Sequence, residues 1–134
     1  MGLSKLEIME LFLVEGFDHA RSLAECLNRM EGHPTDEILE EIHVHAHTIK
    51  GAAAMVGFMN TSHVARFIDR VVLEIIEKKL PFDDEAHGFL QEAIPIVNRF
   101  IRNITLGELN EAIILKDIAS KYDRIISKAE TSHA

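Results

Sequence analysis

The feature that most constrains this chain is the spacing of its apolar residues, which recur three and four positions apart almost from end to end. That spacing lines up side chains on one face of a helix, and nothing alternates with the period of two that a half-buried strand needs. Leu6, Met9, Leu13, Phe17, Ala20, Ala24 and Leu27 mark a first helix. Ser4-Lys5-Leu6-Glu7 reads as a capping box at its start, and Gly32-His33-Pro34 stops it. Thr35 is placed to cap a second helix, with Asp36 and Glu37 favourable at its positive end. Its stripe is Ile38, Ile42, Ala46, Ile49, Ala53 and Val56, and a break is expected from Gly57 to Asn60. A third helix carries Val64, Ile68, Val71, Val72 and Ile75 and ends before Pro81. Asp83 or Asp84 opens a fourth, through Phe89, Leu90, Ala93, Ile96, Val97 and Phe100 to about Arg102, with a kink or break expected at Pro95. Thr105-Leu106-Gly107-Glu108 reads as a second capping box, opening a fifth helix through Leu109, Ala112, Ile113, Ala119, Tyr122 and Ile126.

Short connections make successive helices pack antiparallel. The expected fold is all-α: an antiparallel up-and-down four-helix bundle plus a fifth, C-terminal helix. The 134 residues suit one domain, and 47% hydrophobic residues supply its core. The expected domain spans residues 1–128, with 129–134 a frayed tail or the start of a linker. No apolar run approaches the ~20 residues of a membrane span, so no membrane is expected as a partner. Lys5, Glu7 and Glu10 already form an amphipathic pattern, which speaks against a signal peptide. The net charge of −8 speaks against nucleic acid, whose phosphates require a basic face. Cys26 is the single cysteine, so no intrachain disulfide can form, in keeping with a cytoplasmic setting. Packing is a better reading of Cys26 than catalysis, because Arg29 is its only basic neighbour on the helix.

The second helix holds the chemistry. At about 100° per residue, Ile42, Ala46, Ile49, Ala53 and Val56 share one face and His47 points nearly opposite. Lys50, Gly51 and Ala54 flank His47 one turn further on, and His43 lies one turn before it. Gly51 weakens the helix by roughly 1 kcal/mol relative to Ala, and Ala54 keeps the same surface low. A flat patch beside an exposed histidine suits close approach by another protein. Lys50 can place its ammonium near a phosphoryl group on the ring. His47 lies about eleven residues before the turn and Asp69 about ten after it, so at ~1.5 Å rise per residue the two come level. A carboxylate accepting from Nδ1–H would fix the tautomer and leave an Nε2 lone pair for attack on phosphorus. The other reading is that Asp69 pairs with Arg66, Arg70 or Lys50.

His47-Thr48-Ile49-Lys50-Gly51, then small residues, then Gly57-Phe58, resembles the phosphorylation motif of histidine-phosphotransfer (Hpt) domains. It is most similar to the N-terminal phosphotransfer domain of CheA-type chemotaxis histidine kinases. The resemblance extends over roughly residues 8 to 103, including 12–27, 34–42 and Lys79-Leu80-Pro81-Phe82, and the fifth helix agrees with it. It implies that His47 is the phosphoacceptor, Lys50 its electrostatic neighbour and Asp69 the residue that orients the imidazole. Gly51, Ala54 and His43 would then form the partner-facing surface. Asp69 stands where the CheA-type pattern has a longer Glu, and Arg66 where it often has another His. The implied partners are a histidine-kinase ATP-binding domain and a response-regulator receiver domain, with the isolated domain monomeric. No cofactor is expected on the chain itself, since no glycine-rich or P-loop element is present; ATP and Mg²⁺ belong to the partner domains.

Other readings stand beside this one. The chain could be a stand-alone phosphorelay protein, or a degenerate bundle that binds a regulator without accepting phosphate, which the Asp69 departure keeps open. A metal site from His43, His47 and Glu40 lacks further ligands in view. His45 reads as a packed, hydrogen-bonded histidine, Met55 and Met59 as fillers, and His63 as a solvated residue. No constellation surrounds His19, His33, His87 or His133.

Overall fold

The computed structural model describes residues 2–30, 33–107 and 110–132. These form five helices: α1 (Lys5–Arg29), α2 (Asp36–Met55), α3 (Met59–Ile76), α4 (Asp84–Leu106) and α5 (Glu111–Ser132). No strand occurs among the described residues. Helices α1 to α4 close a ring, with α1 against α2, α2 against α3, α3 against α4 and α4 against α1. Helix α5 lies on α3 and α4. The expected bundle of four helices plus one is the observed fold.

Helices α1, α2 and α4 begin where a side chain satisfies free backbone donors, whereas α3 follows Phe58 with no side-chain cap. The Ser4 hydroxyl accepts from the Glu7 N–H, the Thr35 hydroxyl from Ile38, and the Asp83 carboxylate from Ala86. The turn between α2 and α3 needs Gly57 at φ 85°, a conformation that costs a side chain with a Cβ. Ser62, buried on α3, donates its hydroxyl to the Lys50 carbonyl at 2.8 Å. That bond pins the start of α3 to α2 just beyond His47.

The core is built from Leu23, Ile42, Ile49, Val64, Ile68, Leu90, Ile94, Phe100 and Ile101, none more than 1% exposed. The stripes expected on α2, α3 and α4 are buried, apart from the half-buried Val56. On α1 the stripe is rotated: Phe12, Gly16, Ala20, Leu23 and Cys26 face inward, while Leu6 is 63% exposed. The first turns of α1 lie outside the core, so their apolar residues carry no information about the buried face.

Three further expectations need correction. Pro95 does not break α4, which runs through it to Leu106. Pro95 is exposed, as is Gln91, so the carbonyl that loses its helical donor faces water. The second capping box does not start α5: α4 continues through Thr105 and Leu106 and ends in a left-handed cap at Gly107, φ 66°. Glu108 and Leu109 lie outside the described residues. Helix α5 begins at Glu111, where the Asn110 side chain accepts from the Ile113 N–H. Its inward residues are Ile118, Tyr122, Ile125, Ile126 and Ala129, whereas Ala112 and Ile113 are exposed. Helix α5 runs to Ser132 with Ala129 buried, so the packed helix passes the boundary expected at residue 128.

Candidate functional site

With Ile42, Ala46, Ile49 and Ala53 turned into the core, the opposite side of α2 carries His47, whose side chain is 61% exposed. Asp69 projects from α3, its neighbours Ile68, Val71 and Val72 fully buried and its own side chain only 5% exposed. The antiparallel turn at Gly57 brings the two level. Nδ1 of His47 lies 3.2 Å from Oδ2 of Asp69. A carboxylate only accepts, so the ring donates from Nδ1, and in the neutral ring Nε2 keeps its lone pair. The shorter acidic side chain therefore reaches the imidazole directly.

Lys50 places its ammonium 3.7 Å from the same Oδ2. The other carboxylate oxygen, Oδ1, accepts from Nδ1 of His43 at 2.5 Å. His43, expected on the partner-facing surface, is half-buried, its ring 27% exposed and turned to Asp69. The reach of α3 brings the carboxylate between two histidines one turn apart, a placement the α2 wheel alone cannot reveal. The rival partners of Asp69 are engaged elsewhere. Arg70 bonds Glu74 at 2.9 Å, and the Arg66 guanidinium lies over the Phe67 ring, close to Tyr122 of α5. Of the three proposed cations, Lys50 alone reaches Asp69.

Gly51 and Ala54 are exposed one and two turns beyond His47, as expected. A Cβ added at Gly51 would meet no atom within 4 Å, so nothing inside the chain requires glycine there. Glu40 is exposed, and among the described residues no three His, Cys, Asp or Glu side chains converge on a metal position.

The other flank of α2 holds a contact that the sequence did not suggest. His45, half-buried, meets His19 of α1, Nδ1 to Nδ1, at 2.9 Å. Burial pushes His45 below the ordinary histidine value, and the nearby His19 lowers it further. His45 is thus a hydrogen-bonded packing residue, as read, but its partner is a histidine previously assigned no surroundings. Next to this pair, Arg29 bonds Glu41 at 2.6 Å and holds its carboxyl below the usual range. The Cys26 thiol donates to the same Glu41 at 3.4 Å. Burial and that bond push the thiol up to about 11, so it stays protonated and unreactive near neutrality.

The sequence profile of the Hpt domain family matches residues 7–100, most of the chain. The chain belongs to the Hpt domain family. It is thereby a histidine-phosphotransfer domain of two-component signalling, and domains of this family are phosphocarriers and not catalysts. This Hpt domain is similar to three proteins named Chemotaxis protein CheA. That of Listeria innocua is 24% identical over 95% of the chain, and that of Bacillus subtilis 22% over 96%. The Halobacterium salinarum protein is 32% identical over 66% of the chain. The matches cover 21%, 20% and 13% of those proteins, so the domain spans about a fifth of their length or less. No solved structure gives a significant match. Among the described residues no helix is long and apolar enough to cross a membrane.

Proposed function

We propose that this Hpt domain carries its phosphoryl group on Nε2 of His47, as the phosphotransfer part of a chemotaxis-type histidine kinase in the cytoplasm. The observation that carries the reading is the 3.2 Å contact between His47 Nδ1 and the buried Asp69 carboxylate. It leaves Nε2 on the far side of a ring that is 61% exposed, on a helix that also exposes the low surface of Gly51 and Ala54.

In this reading two transfers use that geometry. The Nε2 lone pair attacks the γ-phosphorus of ATP held by the kinase ATP-binding domain. The N–P bond forms, the bond from phosphorus to the bridging oxygen breaks, and ADP leaves with that electron pair. The ring gains positive character as its lone pair is shared, and the Asp69 carboxylate offsets it through Nδ1–H. Lys50 offsets the charge of the phosphoryl oxygens. A carboxylate oxygen of the receiver-domain aspartate then attacks phosphorus, the P–N bond breaks and Nε2 recovers its lone pair. ATP and Mg²⁺ belong to the partner domains; this chain contributes a fixed nucleophile, and positioning dominates phosphoryl transfer. The isolated domain works as a monomer in this scheme. The direct Asp69 contact weighs against a bundle that merely binds a regulator, since that reading rested on a carboxylate too short to reach.

Intact-mass analysis after incubation with phosphoramidate tests the proposal. The wild type should gain one phosphoryl group, labile in acid and stable in base, and His47→Gln should gain none. An adduct that persists in His47→Gln, or no adduct on the wild type, contradicts it.

A further inference from the structure

Asp69 is a buried carboxylate, and a buried carboxylate must have its lone pairs occupied. Its oxygens are divided between two histidines of α2: Oδ2 faces His47 Nδ1 at 3.2 Å and Lys50 Nζ at 3.7 Å, while Oδ1 faces His43 Nδ1 at 2.5 Å. The rings of His43 and His47 lie 5.7 Å apart, one helical turn along α2. The terminal torsion of an aspartate is broad and nearly two-fold, so one contact at 3.2 Å does not fix the plane of the carboxylate. A second donor on the other oxygen does. With Oδ1 held by His43, Oδ2 stays aimed at His47. Without it the group is free to turn toward Lys50, leaving the His47 ring to exchange tautomers in solvent.

We infer that His43 is a positioning residue: acting through Asp69, it holds His47 in the Nδ1–H tautomer that presents Nε2 for phosphorylation. The inference rests on the phosphocarrier reading above but has a readout of its own. His43 does not itself meet the phosphoryl group. Its requirement is one N–H donor at the Nδ1 position, not a ring. Two substitutions separate donation from packing. His43→Phe keeps the ring and removes the donor, and His43→Asn keeps a donor near the Nδ1 position and removes the ring.

The experiment measures the ¹⁵N shifts of His47 and the initial rate of phosphorylation by phosphoramidate in wild type, His43→Phe and His43→Asn. Thermal unfolding of each confirms that the fold is kept. In His43→Phe the Nδ1–H fraction of His47 should fall. The rate should drop about 3- to 10-fold, less than the ~10–100-fold that accompanies loss of a directly bonded outer partner. His43→Asn should restore both. A His43→Phe variant with wild-type tautomer and rate overturns the inference, as does failure of Asn to restore what Phe loses. A phosphoryl group found on His43 also overturns it, because the residue would then be an acceptor. If the wild type takes no phosphoryl group at all, the function proposed above fails, while the tautomer comparison still decides the role of His43.

Discussion

Helix α2 carries a histidine contact on each flank, and the two differ in what faces the ring. Toward α3, His47 and His43 donate to a carboxylate that is buried and can only accept. Toward α1, His45 meets another imidazole, His19. A carboxylate sets the tautomer of every neutral ring that touches it. A second imidazole does not: one ring must donate and the other accept, and protonating both removes the bond. The same residue type on one helix therefore meets a fixed acceptor on one side and serves as a packing group on the other. What distinguishes them is the neighbouring helix.

Replacing the carboxylate should break the contrast most severely. Asp69→Asn keeps the shape but loses the charge, and the initial rate of His47 phosphorylation should fall about 10- to 100-fold, while His19→Phe and His45→Phe stay within about twofold. Equal losses on both flanks, read by intact mass against time, would erase the distinction. Gly51 gives a smaller effect of opposite sign on stability. Because an added Cβ meets nothing, Gly51→Ala should raise stability by up to about 1 kcal/mol in chemical denaturation. Gly51→Arg should fold normally yet slow transfer to a receiver domain. A destabilised Gly51→Ala would mean that packing within the chain, and not partner approach, explains the glycine.

The α1 flank should show itself in pH dependence. With His45 lowered by burial and by His19, the unfolded chain binds the proton more readily below the ordinary histidine value of about 6.5. The contribution of His45 is therefore complete above that value and is lost as pH falls through the depressed value of the folded state. Urea midpoints between pH 7 and pH 5 should fall in the wild type and fall less in His45→Gln, where that proton cannot be taken up. A slope unchanged in the variant would sink the assignment. The smallest effect is at Cys26: with its thiol at about 11, alkylation at neutral pH should be slow in the folded protein and fast only after denaturation.

Periodicity made the helices and their order legible, because each of α2, α3 and α4 lies in the ring and must bury a stripe. It failed where that condition lapses. The opening turns of α1 and of α5 lie outside the core, so Leu6 and Ile113 follow the spacing yet face solvent. Pro95 leaves α4 unbroken because the cost of an interior proline is smaller where its orphaned carbonyl meets water. Thr105 to Gly107 imitate a helix start but form a helix end, since a left-handed glycine serves equally well as a terminator. At the site, His47, Lys50 and Asp69 were legible because the turn at Gly57 makes register countable. His43 and His19 were not. Their partners come from helices whose rotation about their own axes a linear count does not set, and Ser62 on the Lys50 carbonyl escaped for the same reason.

The central claim is that Asp69 reserves Nδ1 of His47 and leaves Nε2 to react. The most direct test is ³¹P–¹⁵N correlation on the phosphorylated, ¹⁵N-labelled domain. The account predicts a single phosphorus, bonded to Nε2 of His47, with Nδ1 still protonated and facing Asp69. Phosphorus on Nδ1 of His47, or on His43, would contradict it.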